Sequence, residues 1–113
     1  MRKNWLLRSV VSSLLVLILF SDGFADIRIR FARGRTSATV SGSISAGGRV
    51  CYVAGARSGQ TLNAVISSTS GKAMIFESGE TSYSLNVERS GDQSVCVDNI
   101  GKATRYSLTV SIL

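Results

Sequence analysis

The chain has 113 residues, with 13 Lys and Arg against 7 Asp and Glu, no His and no Pro. Such a length holds one domain and no more. With no His a Ser–His nucleophile is impossible, and two Cys alone do not make a zinc site, so neither hydrolytic nor metal chemistry is expected, and no cofactor.

The first stretch reads as an export signal. Arg2, Lys3 and Arg8 form a positive region. An apolar run follows from Val10 to Phe20, broken only by Ser12 and Ser13, and Gly23 and Ala25 supply the two small residues of a cleavage site. This is the three-part layout of a cleavable signal peptide. The run falls short of the roughly 20 apolar residues of a membrane-spanning helix. Residues 1–25 are therefore expected to be removed, leaving a domain at 26–113 with no membrane span, in the periplasm or secreted. Loss of Arg2, Lys3, Arg8 and Asp22 leaves ten basic and six acidic side chains, a net charge of about +4. No Lys/Arg run with interleaved aromatics points to nucleic acid.

After residue 25 the pattern is period two. Ile27, Ile29 and Phe31 alternate with Arg28 and Arg30, which read as the solvated face of a strand. Ala32-Arg33-Gly34-Arg35 turns the chain. Ala38, Val40 and Ile44 share one parity of the next segment, and Ser45-Ala46-Gly47-Gly48 is a turn. Val50, Tyr52 and Ala54 alternate with Cys51 and Val53, and Arg57-Ser58-Gly59-Gln60 turns again. Leu62, Ala64 and Ile66 follow, then Ser70-Gly71-Lys72 before the short run Ala73–Phe76. Ser78-Gly79-Glu80 precedes Tyr83, Leu85 and Val87, and Ser90-Gly91-Asp92 precedes Val95, Cys96 and Val97. Asn99-Ile100-Gly101-Lys102 leads into Tyr106, Leu108, Val110 and Ile112. About eight short strands closed by glycine turns predict a single small antiparallel β-sandwich. No window carries a helical stripe.

A domain of this size has a marginal core. In an oxidising compartment Cys51 and Cys96 are expected to pair as its staple, a closure worth at most about 4 kcal/mol in the chain-entropy model. Alternation puts Cys51, with Val53, on the face opposite Val50 and Tyr52, and Cys96 opposite Val95 and Val97, which fits either a cross-strand or an inter-sheet bridge. Neither CxxC spacing nor a helix start is present to make the pair redox-active. The carboxylates Glu77 and Glu80 flank a Gly turn and read as solvated loop charges. A sandwich this small has little room for a catalytic cleft, so the chain is read as no enzyme.

Several segments carry a resemblance. Ile29-Arg30-Phe31-Ala32-Arg33-Gly34-Arg35-Thr36-Ser37-Ala38, then Ser41-Gly42-Ser43-Ile44, then Tyr52 through Ala56-Arg57-Ser58-Gly59-Gln60, resemble the opening half of the periplasmic inhibitors of goose-type (g-type) lysozyme. Ser90-Gly91-Asp92 before a Val-rich strand, and Arg105-Tyr106-Ser107-Leu108-Thr109-Val110, fit the closing half. The Gly-Gln turn and the Phe-x-x-Gly start are shared with the wider pre-peptidase C-terminal type of β-sandwich. The resemblance implies a β-sandwich and a protein partner, a g-type lysozyme. Three departures stand out, the first being the Cys51–Cys96 pair, which is not a feature associated with this family. The family's long basic connection before the last strand is here only about Asp98 to Thr104, and the Ser-Gly-x-x-Tyr signature of inhibitors of chicken-type lysozyme is missing, with one residue too many between Gly79 and Tyr83.

Binding on a rigid sandwich belongs to its loops. The partner-binding candidates are Lys72, Glu77, Ser78, Gly79, Glu80, Lys102 and Arg105, with Lys102 and Arg105 foremost because a lysozyme cleft holds an essential carboxylic acid. The alternative is an envelope-associated accessory sandwich binding a polymer, peptidoglycan or another protein. That reading wants a flat face with exposed aromatics, for which Phe76 and Tyr83 are the candidates.

Overall fold

The structure, a computed structural model, describes residues 26–113; the expected export segment lies outside the described residues. Eight strands fill it: β1 (Ile27–Arg28), β2 (Ser37–Ile44), β3 (Arg49–Ala56), β4 (Thr61–Ser68), β5 (Ala73–Ile75), β6 (Ser82–Asn86), β7 (Gly91–Asn99) and β8 (Thr104–Ile112). Among the described residues no helix is long and apolar enough to cross a membrane. The strands form two four-stranded sheets, ordered β1-β3-β7-β5 and β2-β8-β4-β6. Every odd-numbered strand lies in the first sheet and every even-numbered strand in the second. Each connection therefore crosses the sandwich, and no two consecutive strands are ladder neighbours.

The alternation read from the sequence sets the two faces. Tyr52, Ala54 and Ala56 of β3 and Val95, Val97 and Asn99 of β7 point inward, against Leu62, Ala64 and Ile66 of β4 and Tyr106, Leu108 and Val110 of β8. Successive side chains of a strand take opposite faces, so one register decides the whole set. Leu62, Ile75, Val95, Val97, Leu108 and Val110 are fully buried, and truncating either leucine to Ala is expected to cost about 2–5 kcal/mol. The Tyr52 and Tyr106 hydroxyls meet across the two sheets at 2.6 Å. Burial, with the bond to Tyr52, pushes the Tyr106 phenol far above its ordinary range. Gly42 makes room for this pair: a Cβ there would sit 2.9 Å from the Tyr106 hydroxyl.

The first strand is shorter than its alternation implies. Ile27–Arg28 alone pairs, parallel to β3, through Ile27 opposite Tyr52 and Arg28 opposite Val53; all other pairings are antiparallel. Arg28 is not merely solvated, since it donates to Asp92 at 2.5 Å. Cys51 and Cys96 are register partners on β3 and β7, with Cα atoms 4.0 Å apart. The disulfide is thus cross-strand within one sheet, on its outer face, at the short spacing of a non-hydrogen-bonded pair.

Strand directions sort most of the connections to two ends of the sandwich. At one end sit the connections 45–48, 69–72 and 100–103; at the other sit 29–36, 57–60 and 87–90. The loop 76–81 runs along one edge between β5 and β6.

Candidate functional site: a basic groove at one end of the sandwich

The end formed by residues 45–48, 69–72 and 100–103 is organised by one buried polar side chain. Asn99, the last residue of β7, is 2% exposed. Its Nδ2 donates to the carbonyls of Lys102 at 2.8 Å and Ser45 at 3.1 Å, and its Oδ1 accepts from the Gly101 amide at 3.1 Å. Its backbone does likewise: Gly47 donates to the Asn99 carbonyl at 3.0 Å and Asn99 donates to the Gly48 carbonyl at 3.1 Å. A neutral amide suits this place because it offers donors and an acceptor at once. One residue thereby binds the turn after β2 to the turn after β7.

The third connection joins through small side chains. Ser70 donates its amide to Thr104 Oγ1 at 3.2 Å, Lys72 donates its amide to Ser70 Oγ at 3.2 Å, and the Ile100 amide reaches the Lys72 carbonyl at 3.3 Å. Lys72 packs directly on Gly101, where an added Cβ would lie 2.8 Å from the Lys72 Cβ and Cγ. Between these loops opens a groove of about 810 Å³, lined by Ile44, Thr69, Lys102, Ala103 and Arg105 among others. A neighbouring hollow of about 450 Å³ shares Arg105 and is floored by Ser41, Ser67, Ser68 and Ser107. Lys72, Lys102 and Arg105 are all exposed here. None of the three makes an ion pair among the described residues. The result is an apolar-floored groove lined by two cations, Lys102 and Arg105, that have no acidic partner among the described residues, with Lys72 on the adjoining loop and a strip of hydroxyls alongside. Such a surface can seat a carboxylate and hydrogen-bond acceptors of a partner.

The remaining candidates lie apart from this groove. Glu77, Ser78, Gly79 and Glu80 form the edge loop beside Asn63 and Tyr83, around a shallow hollow of about 550 Å³. Glu77 is half-buried and not simply solvated: its Oε1 accepts the Cys96 amide at 2.9 Å, tying the loop over the disulfide strand. The loop closes internally through Gly79 donating to the Ile75 carbonyl at 2.8 Å and Glu80 donating its amide to Ser78 Oγ at 3.2 Å. Burial, and then the charge of Glu77, raises the Tyr83 phenol. Phe76 is exposed but covered by Arg49, whose guanidinium carbon lies 3.9 Å from the ring centre while its Nε and Nη2 hold Asp98 in a two-pronged pair. Phe76 follows β5 of one sheet and Tyr83 belongs to β6 of the other, so the two rings do not build one flat platform. Asn99 was within reach of sequence reasoning only as the first residue of a turn; its role in joining two turns depends on contacts to residues over fifty positions away.

No family model matches the chain, and no curated protein does. Solved structures do. The chain is similar to the Aeromonas hydrophila PliG, a periplasmic lysozyme inhibitor of g-type lysozyme, at 23% identity and a TM-score of 0.68, over 79% of this chain and 96% of that one. It is similar to the Salmonella Typhimurium PliG at 23% identity and a TM-score of 0.62, over 78% of this chain and 97% of that one. A mutant of the Escherichia coli protein gives 21%, 0.61, and the same two shares. What this likeness shows is the fold: the chain is built on the β-sandwich of the periplasmic g-type lysozyme inhibitors.

Proposed function

We propose that the protein is an exported, non-enzymatic inhibitor of a g-type lysozyme, working in the periplasm or outside the cell. It acts by presenting the groove of Lys102 and Arg105 to the enzyme's cleft. The observation that carries this reading is the convergence, on the inhibitor fold, of Lys72, Lys102 and Arg105 at one stapled end. A glycan-cleaving enzyme of this kind works through an essential carboxylic acid in a cleft. A cation held at the mouth of that cleft neutralises the acid and excludes the glycan together.

Magnitudes separate two versions of the contact. If Arg105 or Lys102 is desolvated against the carboxylate, removing it costs about 2–5 kcal/mol, mostly as faster dissociation. If both stand on the rim, the loss is small and shrinks further in salt. The Asn99 staple favours the first version, because a cation on a fixed loop loses less freedom on binding. The test is a titration of g-type and chicken-type lysozymes with the purified protein. Stoichiometric loss of g-type activity is expected; full g-type activity at inhibitor concentrations well above the enzyme's rejects the function and leaves the fold untouched.

A further inference from the structure

The opposite end of the sandwich carries more charge than the groove, and the inhibitory reading does not use it. Arg30, Arg33, Arg35, Arg57 and Arg89 all emerge there, all exposed. They come from three segments far apart in sequence, gathered by the strand directions. None makes an ion pair among the described residues. The nearby Asp92 is already held by Arg28, which leaves Glu88 as the acidic side chain on these three segments.

Arg33, Arg35, Arg57 and Arg89 stand on or beside hydrogen-bonded turns, and Arg30 precedes the first of them. Arg35 donates its amide to the Ala32 carbonyl at 2.9 Å, and Gln60 donates to the Arg57 carbonyl at 3.0 Å. The 57–60 turn is docked on the 87–90 turn through Gly59 to the Val87 carbonyl at 2.9 Å and Ser58 to Ser90 Oγ at 2.9 Å. Leu113, an apolar side chain 68% exposed, emerges at the same end, paired to Thr61.

We infer that this end is a docking surface for an anionic lipid bilayer, with the arginines on headgroup phosphates. Three features select that occupant. Arginine matches phosphate oxygens in a two-pronged fork, and all five cations here are Arg. The five are spread over three separate connections and line none of the hollows described above, so a small phosphate ligand meets one or two of them while a broad anionic surface meets all. An exposed leucine among basic side chains suits the boundary between headgroups and acyl chains. Docked in this way, the protein holds its Lys102–Arg105 groove at the far end, pointing away from the membrane and free for a partner.

The experiment is cosedimentation of the protein with vesicles of phosphatidylcholine alone and of phosphatidylcholine with phosphatidylglycerol. Binding to the anionic vesicles and not to the neutral ones is expected. It should weaken as ionic strength rises from about 0.01 to about 0.15 M and the screening length falls from roughly 30 to roughly 8 Å. Each arginine at an anionic surface is worth about fivefold in partitioning. Arg33→Gln with Arg35→Gln, and separately Arg57→Gln with Arg89→Gln, should therefore each lose about 25-fold, with melting temperatures reported for both. Lys72→Gln, Lys102→Gln and Arg105→Gln together should leave vesicle binding nearly unchanged. Equal binding to neutral vesicles, an equal loss in that last variant, or displacement by inorganic phosphate beyond that by chloride at matched ionic strength would each overturn the inference. So would retention on heparin without any vesicle binding. Lysozyme inhibition is read separately, so either proposal can fail alone.

Discussion

The two ends of this sandwich are built from the same kind of connection and held together in different ways. At the groove end, one buried side chain, Asn99, reaches the turns after β2 and β7 at once. At the arginine end, the turns are closed by main-chain bonds and by three side chains, Gln60, Ser90 and Gln93, with Gly59 at φ 92° in the 57–60 turn. The first arrangement centres on one buried amide; the second is spread over main-chain bonds and exposed side chains. A surface that must match a shaped cleft benefits from the first. A surface that meets a diffuse charge layer does not need it. The disulfide lies between the two ends, on the outer face of the β1-β3-β7-β5 sheet.

The largest effect expected is on the staple that the two ends share. Cys51→Ala with Cys96→Ala should lower stability by up to about 4 kcal/mol, because the bridge closes a 45-residue separation. Thermal melting of the double variant, followed by an inhibition assay at low temperature, should show a lower midpoint and intact binding at both ends. Lost inhibition in a folded sample would mean the bridge shapes the groove directly.

Asn99→Ala comes next and should separate the ends. It strands the Gly101 amide and removes the donor to Lys102 and Ser45, a loss of about 2–3 kcal/mol. Inhibition should weaken while vesicle binding holds. Asn99→Asp should fare no better, since it sets a second acceptor against those carbonyls. At the other end Gly59→Ala forces a side chain into the left-handed region for about 1–2 kcal/mol, and inhibition should stay at the wild-type level.

The smallest effect is expected from the ion pair of Arg28 and Asp92. Its guanidinium hydrogen bond holds the Asp92 carboxyl below the usual carboxylate range. A carboxyl with a lowered folded-state pKa contributes stability above its unfolded value of about 3.9 and loses it as pH falls through the folded value. An exposed pair contributes little in any case. Melting curves of wild type and Asp92→Asn should therefore run close together near neutrality and converge fully in acid. A gap that widens below pH 3.9 would contradict that sign.

Much of the fold was legible in the sequence. The alternation of Tyr52 and Ala54 against Cys51 and Val53, and of Leu108 and Val110 against Ser107 and Thr109, marks strands and faces because a pleated strand has no other period. Glycine turns mark where they end. What they do not tell is whether a turn makes a hairpin or crosses to the other sheet, since both need the same local residues. The crossing at every connection, and the in-sheet Cys51–Cys96 bridge that follows from it, is set by pairings of high sequence separation. Phe31 was legible as apolar but not as lying beyond the short pairing segment of β1. The site was half visible. Lys102 and Arg105 lie three residues apart, but Lys72 joins them only through its contact with Gly101. Glu77 read as a solvated charge because its partner, the Cys96 amide, lies 19 residues on.

The central claim is that the stapled end, and not the arginine end, meets the lysozyme. It is tested most directly by titrating one g-type lysozyme with three proteins. These are the wild type, the Lys72→Ala, Lys102→Ala, Arg105→Ala variant, and the Arg33→Gln, Arg35→Gln, Arg57→Gln, Arg89→Gln variant. Loss of affinity by about 2 kcal/mol or more in the first variant, with the second inhibiting like wild type, is the expected result. Full inhibition by the first variant and loss in the second would place the inhibitory face at the wrong end of the molecule.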